Sequence, residues 1–281
     1  MLSYRHAFHA GNHADVLKHL ILLQIGQYMG EKPAPFWIID THAGAGCYAL
    51  ESAHASKLAE YKDGVGRLWS AKGLPPAAVD YLEFVKMLNP DGQLRHYPGS
   101  PWLASQLLRE SDRLRLFELH PTDVKLLQEN FKSAGRQVNI TAGDGFAGLK
   151  ATLPPPPRRA LVLIDPSYET RDDYANVVKA LQDSLKRFPT GTYALWYPML
   201  SKPESQKLPA KLKALGMKNW LHAALAVKAP ARDGYGMHGS GMFVINPPWT
   251  LQKILRETLP KLTELMAQDD GAKFVLEGES A

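Results

Sequence analysis

Short apolar runs recur along the chain, and segments with helical periodicity separate most of them. The runs predict seven strands, at 36–41, 114–118, 138–142, 160–165, 192–197, 223–228 and 242–246. Apolar residues that return every three or four positions predict helices at 13–29, 122–131, 174–188 and 203–215. Strands that alternate with helices favour an α/β fold, in which a mostly parallel sheet carries helices on both faces.

The apolar run Leu161 to Ile164 has no polar alternation, which is typical of a strand buried on both faces. It leads directly into Asp165-Pro166-Ser167-Tyr168, at the end of the strand where open α/β sheets bind ligands. A carboxylate there accepts hydrogen bonds from an amine, and an aromatic ring stacks on a planar base. Asp-Pro is also common turn chemistry and Tyr a frequent core residue, so the tetrapeptide alone is equally compatible with a plain turn.

A glycine-rich segment, Asp40 to Gly46, follows the first predicted strand. Glycines at this crossover let a cofactor approach the backbone. The third glycine of the dinucleotide fingerprint is missing, because Ala49 stands in its place. Asp40 adds a negative charge, which suits a cationic ligand better than a pyrophosphate.

Acidic residues stand at the ends of four predicted strands: Asp40, Glu118, Asp144 and Asp165. This pattern fits a cofactor that combines hydroxyls, an adenine amine and a positive charge, and S-adenosylmethionine has all three. A nicotinamide dinucleotide favours an open glycine turn for its phosphates, so a nicotinamide-linked oxidoreductase is the alternative. The strand ends therefore predict S-adenosylmethionine as the cofactor and S-adenosylhomocysteine as its product.

The spacing between the glycines and the second acidic strand end predicts an insertion. Gly46 and Glu118 lie about 70 residues apart, where ~20 are typical of a compact nucleotide-binding unit. The extra residues contain two helical patterns, at 57–68 and 77–88, joined by a turn. We therefore expect a core at 1–52 and 96–281, with a small helical subdomain at 53–95 inserted into it.

Composition and charge narrow the class of protein. The 281 residues are 45% hydrophobic and carry a net charge of +5, which permits a polyanionic partner without requiring one. The apolar stretches are shorter than the ~20 residues of a membrane span, and no signal-peptide core opens the chain. A single cysteine, Cys47, excludes an internal disulfide and a cysteine-built zinc site. We expect a cytoplasmic protein that makes no use of a membrane.

Three long strings carry a family resemblance: Tyr4 to His19, Asp40 to Gly46, and Tyr97 to Pro101. With Asp165-Pro166-Ser167-Tyr168, they resemble the bacterial 23S ribosomal RNA large subunit adenine-N6-methyltransferase J family nearly end to end. The resemblance implies a Rossmann-like class I methyltransferase fold with a seven-stranded sheet. It implies an enzyme that methylates the N6 amine of one adenine in 23S ribosomal RNA and that acts as a monomer. Ser167 departs from the family pattern, which usually has a second proline there.

The resemblance also implies roles for individual residues. The extruded adenine would stack on Tyr168, while the Asp165 carboxylate and the Pro166 carbonyl accept hydrogen bonds from N6. Substrate contacts are implied for Tyr4, His6, Lys18 and Tyr168. Cofactor contacts are implied for His19, His42, Gly44, Ser100, Glu118, Asp144, Gly145 and Asp165. For Ser100, capping of the helix that begins near Pro101 is an equal alternative.

Other interpretations stay open at the level of sequence. The early histidines His6, His9, His13 and His19 have no cysteine or carboxylate at ligand spacing beside them, so we expect no metal site. A DNA adenine-N6-methyltransferase and a catalytically silent RNA-binding module fit the same motifs, because the choice of RNA rests on the resemblance alone.

Overall fold

The computed structural model describes residues 6–51 and 59–279. Within them, the strands are β1 Trp37–Asp40, β2 Cys47–Ala49, β3 His96–Pro98, β4 Arg113–Glu118, β5 Val138–Ala142, β6 Ala160–Ile164, β7 Thr192–Met199, β8 Trp220–Ala226, β9 Gly239–Ile245 and β10 Lys273–Glu279. The α-helices are α1 His13–Gly30, α2 Val65–Trp69, α3 Pro76–Met87, α4 Ser100–Gln106, α5 Pro121–Asn130, α6 Gly145–Thr152, α7 Arg171–Arg187, α8 Pro203–Lys213 and α9 Leu251–Met266. In the same residues, no helix has the length and apolar character that crossing a membrane requires.

The described strands form one large sheet and one small antiparallel pair. The large sheet has eight strands in the order β10-β8-β9-β7-β6-β1-β4-β5, and β2 pairs with β3. Strands β5, β4, β1, β6 and β7 are parallel to one another, whereas β9 runs antiparallel to both β7 and β8. All seven predicted strands are present, with ends shifted by a few residues. Seven strands were predicted for the sheet and it has eight, because the antiparallel edge strand β10 was not predicted.

Both faces of the sheet are buried, as the apolar run in β6 predicts. Leu161 and Leu163 point into a cluster that includes side chains of α1, α3, α4 and α9. Val162 and Ile164 point to the opposite face, where α6, α7 and α8 cover them. Alternate residues of one strand therefore belong to different layers, which confirms the doubly wound arrangement.

The helices of the predicted insertion pack onto the first of these layers. A 3₁₀ turn at Glu60–Asp63 and the short helix α2 occupy the region where a longer helix was expected. Tyr81 of α3 is completely buried in the cluster that contains α1. The boundaries 53–95 stay a prediction, and residues 53–58 lie outside the described part of the chain.

The order of the strands places a functional edge at the middle of the sheet. From β1 the chain proceeds to β4 and β5 on one side and then returns to β6 on the other. The carboxyl ends of β1 and β6 are therefore neighbours, and the backbone N–H of Thr41 donates to the carbonyl of Leu163 at 3.1 Å. Ligands bind outside such a switch point in open α/β sheets.

Candidate active site

A cavity opens at this switch point, between the ends of the central strands and the first turns of α1. It is lined by most of the residues singled out in the sequence: His6, Lys18, His19, His42, Gly44, Ser100, Glu118, Asp165 and Pro166. They come from positions as far apart as α1 and the loop after β6. The parallel strands bring them together because their carboxyl ends share one edge.

Glu118, at the end of β4, holds the glycine loop. One of its carboxylate oxygens accepts a hydrogen bond from the Gly44 N–H at 2.7 Å, and the other accepts one from the His120 N–H at 2.7 Å. Gly44 and Gly46 have φ values of +60° and +80°, which side chains with a Cβ rarely adopt. The carboxylate therefore fixes a loop whose conformation requires glycine, and it lines the cavity at the same time.

Asp40, at the end of β1, is buried beneath the loop. Its carboxylate accepts hydrogen bonds from the Ser100 hydroxyl at 2.7 Å and from the His42 N–H at 3.2 Å. Burial raises the pKa of Asp40 to about 6, although the Ser100 hydrogen bond acts in the opposite direction. Ser100 is the first residue of α4 and makes no capping hydrogen bond, so the capping alternative is wrong for its side chain.

Lys18 links two carboxylates at the centre of the site. Its ammonium lies 2.9 Å from Asp15 Oδ1 and 2.5 Å from Asp165 Oδ2, and its side chain is 5% exposed. His6 Nε2 lies 2.8 Å from Asp15 Oδ2, which also accepts the Gly11 N–H at 2.9 Å. Although burial alone would raise the pKa of Asp15, His6 and Lys18 hold it well below its usual value.

Burial acts to lower the pKa of Lys18, but the carboxylates of Asp15 and Asp165 raise it well above its usual value. The result is a buried row of charges, Asp15, Lys18 and Asp165, that ends at the wall of the cavity. Asp15 has no special spacing in the sequence. Only the packing of α1 across the end of β6 reveals its part in the site.

A second cavity adjoins the first and has a different character. The two share His6, Lys18, Asp165 and Ser167. The remaining walls of the second cavity are largely apolar and include Trp196, Pro198, Leu200 and Met237. Asp165 therefore stands where the cavity at the glycine loop meets a second, more apolar one.

Tyr168 faces away from both cavities in this structure. It has φ +52°, its side chain is buried, and its hydroxyl donates to the Trp196 carbonyl at 2.7 Å. Its ring packs against Tyr174, with ring centres 4.7 Å apart. Trp196 provides the aromatic surface of the second cavity. It is not among the site residues predicted from the sequence.

Asp144 and Gly145 lie beside the first cavity and do not line it. Asp144 caps α6, because its side chain accepts the Phe146 N–H at 2.8 Å. Gly145 packs directly on the residue that follows β1: a Cβ there would lie 2.0 Å from the Thr41 carbonyl oxygen. Gly145 therefore packs against the loop that contains His42, whose ring packs edge-on against Phe146.

Tyr4 lies outside the described residues. Within residues 6–51 and 59–279, no three histidine, cysteine, aspartate or glutamate side chains are grouped in a way that could hold a metal ion. His6 and His9 bind carboxylates instead, at Asp15 and Glu60.

Comparisons with known proteins extend over nearly the whole chain. The family model described as "Ribosomal RNA large subunit methyltransferase D, RlmJ" matches residues 33–276. A Haemophilus influenzae protein named ribosomal RNA large subunit methyltransferase J is 48% identical over 278 residues, covering 99% of this chain and 98% of the relative. An Escherichia coli protein of the same name is 49% identical over 262 residues, covering 93% of each chain.

A solved structure agrees with the fold. The crystal structure of a Legionella pneumophila protein superposes with a TM-score of 0.89 at 34% sequence identity, covering 97% of this chain and 99% of the other. The eight-stranded sheet and the helices on both its faces are therefore an arrangement shared over the full length of a related chain.

Proposed function

The chain belongs to the ribosomal RNA large subunit methyltransferase J family, and we propose that it transfers a methyl group from S-adenosylmethionine to the N6 amine of one adenine in 23S ribosomal RNA. Its Rossmann-like fold is that of class I methyltransferases, as the resemblance implied. One observation carries the proposal: Asp165 stands at the junction of two cavities, one beside the glycine loop and one with largely apolar walls.

The first cavity has the groups that S-adenosylmethionine requires. Glu118 brings a carboxylate to the cavity beside the glycine loop, while Asp165 brings negative charge towards a sulfonium. His19 has a buried ring nitrogen, Nε2, with no partner among the described residues. When bound, S-adenosylmethionine supplies an activated methyl group, so the protein has to provide binding and alignment.

The second cavity suits an extruded adenine. Trp196, Pro198 and Met237 provide apolar surface for a planar ring, and aromatic stacking is a general way to hold an unstacked base. We propose that Trp196 contributes to this surface. Tyr168, whose ring centre lies 6.0 Å from that of Trp196, would hold the Trp196 side chain in place.

Asp165 and Pro166 would activate the amine. The lone pair of N6 is delocalised into the adenine ring, and acceptors for its protons draw the nitrogen towards tetrahedral geometry. Asp165 Oδ2 is bonded to Lys18, while Oδ1 accepts no hydrogen bond from the described residues. We propose that Oδ1 and the Pro166 carbonyl accept from N6, and that Lys18 holds the carboxylate in place.

A methyl-transfer assay tests this function. The substrate is 23S ribosomal RNA from cells that lack the gene, the methyl donor is isotopically labelled, and the product is read by mass spectrometry of the nucleosides. We expect label in N6-methyladenosine, and a loss of about 100-fold in rate for Asp165→Asn. Asp270→Asn, which removes an exposed carboxylate far along the chain from the motif, is the matched control and keeps full activity.

Other outcomes distinguish the alternatives. Label in DNA adenine in preference to RNA would identify a DNA methyltransferase, and binding of S-adenosylmethionine without any transfer would identify a silent RNA-binding module. Calorimetric binding of NAD in place of S-adenosylmethionine would favour the oxidoreductase. The monomeric state and the cytoplasmic location stay predictions.

A further inference from the structure

Three buried side chains form a hydrogen-bonded row that runs from the predicted insertion to the active site. The Tyr81 hydroxyl of α3 lies 2.9 Å from the Tyr97 hydroxyl of β3, which lies 2.8 Å from His19 Nδ1 of α1. Each of the three side chains is at most 1% exposed. Water is therefore excluded from the row, and its hydrogens have to be satisfied within it.

Counting the hydrogens gives the direction of the row. If Tyr81 donates to Tyr97 and Tyr97 donates to His19 Nδ1, each hydroxyl hydrogen has an acceptor. In the opposite direction, Nδ1–H donates to Tyr97 and Tyr97 to Tyr81, and the Tyr81 hydrogen is left without an acceptor among the described residues. Within the described ranges, the first direction leaves one buried group unpaired, the Nε2–H of His19, which lines the cavity, whereas the opposite direction leaves two, the Tyr81 hydroxyl hydrogen and the Nε2 lone pair. Buried polar groups without partners are costly, so the first direction is favoured.

This direction determines which nitrogen of His19 carries the proton. Burial lowers the pKa of His19 to about 3, so the ring is neutral and has a single N–H. Because Nδ1 accepts from Tyr97, the hydrogen is on Nε2. Nε2 lies 3.9 Å from Asp15 Oδ1, which is too far for a hydrogen bond, and it has no other partner in the described part of the chain.

We propose that Tyr81 and Tyr97 are positioning residues that hold His19 in its Nε2–H form, so that it donates a hydrogen bond to an acceptor of bound S-adenosylmethionine. The proposal rests on the function proposed above. In this proposal α3 has a role in cofactor binding, although Tyr81 and Tyr97 do not line the cavity themselves. His19 is the residue through which both act.

The tautomer is measurable without any catalysis. In ¹⁵N-labelled protein, long-range proton–nitrogen spectra distinguish a protonated Nε2 from a protonated Nδ1, and His19→Gln assigns the signal. We expect the Nε2–H pattern in the wild type and a mixture of both tautomers in Tyr97→Phe. Tyr81→Phe removes only the outer hydrogen bond and should give a smaller change in the same direction.

Cofactor binding gives the second measurement. We expect Tyr97→Phe to weaken S-adenosylmethionine binding about 3- to 10-fold by calorimetry and to raise its KM with little change in kcat. Tyr193→Phe is the matched control: this buried hydroxyl donates to the carbonyls of Phe188 and Ser184, away from the site. It should alter neither the His19 tautomer nor cofactor affinity.

An Nδ1–H pattern in the wild type would overturn the inference, as would unchanged cofactor affinity in Tyr97→Phe. If Tyr97→Phe fails to fold, Tyr81→Phe decides by the same two measurements. If the wild type shows the Nε2–H pattern but binds no S-adenosylmethionine, the proposed function fails while the orientation of the row stands.

Discussion

Lys18 is the residue whose removal should disturb the active site most directly. Its ammonium binds both Asp15 and Asp165 in a place almost closed to water, and breaking a buried pair leaves an uncompensated charge behind. We expect Lys18→Met, which keeps the length of the side chain, to lower the free energy of unfolding by about 3 kcal/mol or more. Urea denaturation at pH 7 measures the loss.

Lys86→Met is the matched control for this prediction. Lys86 lies 2.8 Å from Glu83 on α3, but both side chains are largely exposed, so solvent screens the pair. Its loss should cost about 0–1 kcal/mol. Equal effects of the two substitutions would mean that the buried row of charges contributes no more than a surface pair.

Among individual site residues, those that could be predicted from the sequence stand at the end of a strand, where their position indicates their chemistry. Glu118 and Asp165 are of this kind, and both line the cavity. Asp15 and Trp196 were missed, because their place depends on how α1 and β7 pack across the end of β6. No local pattern contains that information.

At the level of helices and strands, α6 contacts the residue after β1 so closely that no side chain fits between them. The Gly145 backbone packs on the Thr41 carbonyl, where a Cβ would lie 2.0 Å from the oxygen. We expect Gly145→Ala to push the loop after β1 outwards, lower the free energy of unfolding by about 1–3 kcal/mol, and weaken S-adenosylmethionine binding. Thermal unfolding and calorimetry measure the two effects.

Gly143→Ala controls for the loss of a glycine in the same loop. A Cβ at Gly143 meets nothing within 4 Å, and its φ lies outside the left-handed region. This substitution should leave cofactor affinity unchanged. A Gly145→Ala variant as tight-binding as Gly143→Ala would show that the contact with Thr41 does not shape the cofactor site.

The elements themselves were largely predictable, for a physical reason. Strands such as β6 are buried on both faces, so their sequences are apolar runs that stand out against the helices. β10 was missed because it is an edge strand with mostly exposed side chains, and the apolar run in Lys273–Glu279 is only the three residues Phe274 to Leu276. The short strands β2 and β3 are defined by their pairing with each other, which a local pattern does not record.

For the whole molecule, buried histidines should make stability depend on pH. Burial lowers the pKa of His13 and of His42 to about 4 and that of His19 to about 3, whereas a histidine in the unfolded chain titrates near ~6.5. Between these values the unfolded chain binds more protons than the folded one. Stability is therefore fully present above about pH 6.5 and is lost as the pH falls below it.

Asp40 acts in the opposite direction over part of this range. Burial raises its pKa to about 6 in the folded protein, so between about pH 6 and 4 the folded chain holds a proton that the unfolded chain has released. Its contribution falls as the pH rises through this window. Three histidines against one aspartate still leave a net uptake of about two protons on unfolding, so acid should destabilise the fold by about 2–3 kcal/mol per pH unit between pH 6 and 5.

His13→Gln isolates one of these protons. The His13 Nε2 has no hydrogen-bond partner among the described residues, so glutamine removes the titration without breaking a hydrogen bond at that atom. Urea denaturation at several pH values between 6 and 5 should show a slope smaller by about 1 kcal/mol per pH unit than that of the wild type. His96→Gln, at an exposed position, should keep the wild-type slope. If His13→Gln also keeps it, the first turn of α1 is open enough to water for His13 to titrate as it does in the unfolded chain, and the acid sensitivity has another origin.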